Sequence, residues 1–100
     1  MEATTANEPK TYNGWTNYET WVTKLWMDND EGDHRAFGRM ARLASSVYDL
    51  MESIKAAHEE AAPDLGASVF ADLLSAAVSE INWYEIAQSL WDDENEDDDD

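Results

Sequence analysis

The chain has 100 residues, 43% of them hydrophobic, and 23 acidic residues stand against six basic ones for a formal net charge of −17. A chain of this size supports one compact domain and no second core, and without cysteine it has no disulfide, thiolate nucleophile or cysteine-ligated zinc. The negative field disfavours direct contact with nucleic acid, whose binders neutralise phosphates with lysine and arginine, and favours a basic protein partner instead.

From the N-terminus, residues 1–11 are polar and unpatterned, with Pro9 the one conformational restraint, and are expected to be flexible. They lack a basic segment followed by an apolar run, and no apolar stretch in the chain approaches a membrane span, so a soluble cytoplasmic protein is expected. Tyr12 and Trp15 flank the turn dipeptide Asn13-Gly14. Thr16 followed by Glu19 has the spacing of a capping box, which predicts a helix from Thr16 to about Asp30. Its large apolar residues, Tyr18, Trp21, Val22, Leu25 and Trp26, follow the spacing of one helix face, and this aromatic face is expected to be core.

The segment Asp28 to Asp33, D-N-D-E-G-D, offers Gly32 as a stop and Asp30 or Asp33 as a new N-cap. A long second helix is predicted from about Asp33 to Ala61, with Phe37, Met40, Ala41, Ala44, Val47, Tyr48, Met51 and Ile54 as a continuous stripe and a role as the spine of the fold. Pro63 closes it. A third helix after Asp64 carries Leu65, Val69, Phe70, Leu73, Leu74, Ala77 and Val78. A fourth starts at the N-cap Asn82, with Glu85 three residues later and Ile81 placed to staple against Ile86, and carries Trp83, Ala87, Leu90 and Trp91. From Asp92 to Asp100 the chain holds eight acids and is expected to be a disordered tail. Strand signals are absent. The reading is all-α: a single-domain helical bundle of about four helices over residues 12–91.

Catalysis is not expected, nor is any cofactor or metal. The two histidines, His34 and His58, fall on the one predicted long helix, roughly 36 Å apart if it is straight. Nothing in the sequence pairs two carboxylates in an apolar pocket. Asp28 and Asp30 match the opening of a calcium-binding loop, but Asp33 stands where its turn glycine is due and Arg39 where its bidentate Glu is due. A solvated interhelix turn with capping aspartates is the simpler account. Arg35, Arg39 and Arg42 form a stripe on the long helix, read as pairing with nearby acids such as Asp28, Asp30, Glu31 and Asp33 rather than as a contact patch.

The run N-G-W-x-N-Y-E-T-W-x-x-x-L-W-x-x-N, carried by Asn13, Gly14, Trp15, Asn17, Tyr18, Glu19, Thr20, Trp21, Leu25, Trp26 and Asn29, resembles a family of small acidic helical proteins encoded by phages and other mobile elements, among them anti-CRISPR inhibitors. The resemblance covers about a fifth of the chain. It implies an inhibitor, acting in the cytoplasm of a bacterial host, that binds a type I CRISPR surveillance complex and keeps it from target DNA. Carboxylates fixed on helices and turns imitate spaced phosphates better than a floppy tail does. The candidate partner-binding residues are therefore Glu19, Asp28, Asp30, Glu31 and Asp33, with Tyr12 or Trp15 as an aromatic anchor. The competing reading is an acidic, salt-adapted or housekeeping helical domain whose charge serves solubility. Carboxylates clustered on one face would favour the inhibitor, and scattered ones the alternative.

Overall fold

Five helices form in the computed structural model, which describes residues 12–96: α1 (Tyr18–Asn29), α2 (Glu31–Leu43), α3 (Val47–Ala61), α4 (Val69–Ser79) and α5 (Trp83–Glu96). The all-α class expected from the sequence is the class found. Among the described residues the one β-type pairing is an isolated bridge between Tyr12 and Trp15, and no helix is long and apolar enough to cross a membrane. The flexible N-terminal segment expected over residues 1–11 and the end of the acidic tail, residues 97–100, lie outside the described residues.

Helix starts follow capping chemistry more closely than apolar spacing. α1 opens at Asn17, not Thr16: Asn17 Oδ1 accepts from the Thr20 amide at 2.9 Å, while the Thr16 amide is drawn away to Glu85 at 3.0 Å. Asp30 ends α1 and starts α2 in one residue, its amide donating to the Trp26 carbonyl and its carboxylate accepting from the Asp33 amide. Gly32, expected as a stop, therefore sits inside the first turn of α2.

The predicted long helix is two. It breaks after Leu43 because Ser46 caps a new start: its hydroxyl accepts from the Asp49 amide at 3.0 Å, and Asp49 Oδ2 accepts from the Ser45 amide at 3.1 Å. The stripe from Ala41 through Ala44, Val47 and Met51 keeps its spacing across the break, which is why periodicity alone read one helix. The break also voids the separation of the histidines, since α3 folds back along α2 and stacks the His58 ring on Phe37, with centroids 5.4 Å apart and an interplanar angle of 11°. At the other end, α5 continues to Glu96, so Asp92 to Glu96 belong to a helix and not to the disordered tail expected from Asp92 onward. Two side-chain bonds support the extra turn: Asn95 to the Trp91 carbonyl at 2.9 Å and Arg42 to Glu94 at 3.1 Å.

The centre of the fold is α5 rather than the opening helix or the long one. It packs most extensively on α3, then on α2, and also touches α1. Its Trp83, Ile86, Ala87 and Leu90 are buried with Met27, Phe37, Ala41, Leu50 and Ile54, a burial worth about 1.5–3 kcal/mol for each large aliphatic side chain.

The aromatic face of α1 is not that core. Trp26 is 70% exposed and Tyr18 51%, while Thr20, Lys24 and Met27 are buried in their place. The reason is polar: Thr20 accepts from the Asn82 amide at 2.8 Å, and Lys24 places its ammonium on both oxygens of Asp28 at 2.9 and 2.8 Å, so these two residues are buried with partners. α4, the most apolar helix in composition, has no buried residue.

Candidate functional site

The signature segment begins with a tight turn. Tyr12 and Trp15 exchange both backbone bonds, at 2.8 and 2.7 Å, around Asn13 and Gly14, whose φ values of +48° and +89° are what a two-residue hairpin turn of this hand requires. The turn sends the Tyr12 ring onto Tyr18 and Trp21, with centroids 5.4 and 5.2 Å away, and lays Trp15 against the core.

The next residues fasten this turn to the start of α5. Asn17 Nδ2 donates to the Glu80 carbonyl at 2.7 Å, Asn82 Nδ2 to Thr16 Oγ1 at 3.2 Å, and the Asn82 amide to Thr20 Oγ1. Asn82 Oδ1 meanwhile caps α5 by accepting from the Glu85 amide at 3.0 Å. The two helix N-termini thus share caps, and two polar letters of the signature, Asn17 and Thr20, are explained by that clamp.

Beside the clamp lies an open groove of about 640 Å³. Trp15 from the turn and Tyr84 from the first turn of α5 form apolar walls, and Glu85, Gln88, Asp92 and Asp93 add polar groups along one side of α5. Among the described residues no lysine or arginine lines it. Gln88 Nε2 holds Asp92 Oδ1 at 3.0 Å, which steadies one carboxylate. Aromatic faces next to carboxylates fit a guanidinium or ammonium group, which gains both cation–π attraction and charge-assisted hydrogen bonds. The described residues contain no group of three or more His, Asp or Glu placed to hold a metal ion.

Of the residues singled out in the sequence, Trp15 lines this groove, and Tyr12 belongs to the neighbouring ring cluster at 38% exposure. Glu19 is half-buried in the first turn of α1. The four acids of the α1–α2 corner come together but are largely engaged within the chain. Asp28 pairs with Lys24 and lies 3.8 Å from His34, Asp30 caps α2, and Glu31 stands 3.7 Å from Arg35. Asp33 lies exposed in the first turn of α2. The arginine stripe pairs with acids at two of its three members, Arg35 with Glu31 and Arg42 with Glu94. Sequence reasoning missed the α5 half of the groove. Its trace was available, since Glu85, Gln88 and Asp92 recur at i, i+3 and i+7, one face of a helix whose start Asn82 already marked.

The fold and groove define a small all-α protein with an acidic, aromatic-walled recess where its first and last helices meet. The chain belongs to the family of unknown function DUF7249, which it matches over residues 8–98. No curated protein and no solved structure matches it.

Proposed function

We propose that this protein is a non-catalytic inhibitor that docks on a basic surface of a nucleic-acid-handling complex, namely a bacterial type I CRISPR surveillance complex, and keeps it from target DNA. The observation that carries the reading is the groove, where Trp15, Tyr84, Glu85, Asp92 and Asp93 gather with no lysine or arginine among the described lining residues, on a chain of net charge −17. An arginine or lysine that holds a DNA phosphate is the kind of side chain such a recess accepts, so protein and DNA compete for the same cation. The tryptophan signature supplies the identity of the complex by resemblance. The site of action is then the host cytoplasm, with neither a membrane nor nucleic acid as direct partner.

The test is a mobility shift with purified surveillance complex and target duplex. Increasing inhibitor should abolish the shifted band while the guide RNA stays bound, and the double variant Asp92→Lys, Asp93→Lys should inhibit poorly with an unchanged circular dichroism spectrum. Undiminished DNA binding at saturating protein would refute the competition.

The second reading, an acidic helical interaction domain with no part in CRISPR inhibition, is favoured by the internal engagement of Asp28 and Asp30, which is ordinary surface chemistry. It predicts equal, negligible recovery of surveillance-complex subunits from hosts with and without a CRISPR system.

A further inference from the structure

Glu85 stands at one end of the groove, and its surroundings point to what fills that end. One of its carboxylate oxygens accepts from the Thr16 amide at 3.0 Å, the other is shielded from water, and the residue makes a further contact besides that bond. A carboxylate drawn out of water is costly without a cation or donors around it. The chain has six basic residues from which to supply a cation. Lys24 is committed to Asp28 within α1. Arg35, Arg39 and Arg42 stand on α2 and Lys55 on α3, and neither helix contributes a lining residue to the groove. That leaves Lys10. It precedes Tyr12 by two residues, so even an extended chain holds the two within about 7 Å. Tyr12 is paired antiparallel with the groove wall Trp15, and such a pairing directs the preceding chain alongside Thr16, itself a lining residue.

We propose that the Lys10 ammonium seats at the Glu85 end of the groove, beside Trp15 and Tyr84, as an internal ligand that a partner's cation must displace. The carboxylate supplies the opposite charge and the two rings supply cation–π attraction. Asp92 and Asp93, both exposed, stay open to solvent and meet the incoming cation first. Arginine is the stronger competitor for the seat. Its planar guanidinium stacks on a ring and grips a carboxylate through two bonds, whereas an ammonium is a compact point charge. A lysine–carboxylate pair at the rim of an open groove is weak enough to exchange. The displacing cation rests on the reading proposed above, and the internal ligand rests on the groove alone.

The test is nuclear magnetic resonance of the full chain, titrated with arginine amide as the probe. In the parent, the Lys10 side-chain methylene resonances should be displaced by the Trp15 and Tyr84 rings and cross-relax with their protons, and arginine amide should return them to free-chain positions. Lys10→Met should bind the probe more tightly than the parent, having lost the internal competitor. Lys55→Met removes the same charge elsewhere and should bind it as the parent does. In thermal melting, Lys10→Met should lower the Tm of the parent but not that of a Glu85→Gln background. Free-chain resonances for Lys10 in the parent, an equal fall in Tm in both backgrounds, or a probe affinity that Lys10→Met leaves unchanged, absent binding included, would overturn the proposal. None of these measurements involves a surveillance complex, so a protein that fails the mobility shift can still pass here, and the two readings fail separately.

Discussion

One hydroxyl joins the two ends of the chain. Thr20 Oγ1 donates to Asn17 Oδ1 at 2.6 Å, accepts from the Asn82 amide at 2.8 Å, and is fully buried. Thr20→Val keeps the shape and deletes both bonds, leaving the Asn82 amide without its acceptor. The expected cost is about 1–3 kcal/mol, read as a fall of roughly 4–8 °C in Tm per kcal/mol for a domain of this size. Thr20→Ser should recover most of the loss. The contrast is Trp26→Ala, which removes a far larger side chain from an exposed position and should change stability by no more than about 0.5 kcal/mol in a denaturant titration. Size and spacing favour Trp26 as core, and a bond partner 62 positions away decides for Thr20.

Among the helices, the starts at Asn82 and near Asp30 were legible because their capping chemistry is local: the side chain and the amide it accepts are three residues apart. The break at Ser46 is just as local, yet an uninterrupted apolar stripe concealed it. Ser46→Ala should cost about 1 kcal/mol by loss of the cap, measured by thermal melting, and hydrogen exchange should place the added fraying in the first turn of α3. What could not be read was which face of α1 turns inward, because that depends on where α5 presents its first amides. The groove was half legible for the same reason. Its α5 side follows from spacing, while the juxtaposition of Trp15 and Tyr84 exists only once the turn is clamped to α5.

For the whole molecule, the boundary between folded body and acidic end is set by α5 running to Glu96. Two truncations separate the consequences. A chain ending at Glu96 should melt with the parent and retain any groove-dependent binding. A chain ending at Trp91 should lose the Arg42–Glu94 pair, worth about 0.2–1 kcal/mol on a partly exposed surface, together with Asp92 and Asp93, and so should remain folded but bind a basic partner poorly. Binding assays of both chains on the same complex check this. The association rate for a basic partner should fall as the Debye length shortens from about 10 Å at 0.1 M salt to about 3 Å at 1 M.

The shared cap between α1 and α5 also bears on how the protein acquires its structure. Its bonds join positions 62 to 69 residues apart, so closing them requires a loop spanning most of the chain, and the entropy of that closure falls before the reward. The α1–α2 pair, joined through Asp30 and packed between neighbouring stretches of sequence, is free to assemble earlier, leaving the N-terminal turn to dock on α5 last. The Asn82 amide is then a reporter for the docked turn. In native-state exchange its opening free energy should lie below that of global unfolding, because undocking the turn frees it while the body stays folded, and above that of amides at the exposed helix ends, which report only local fraying.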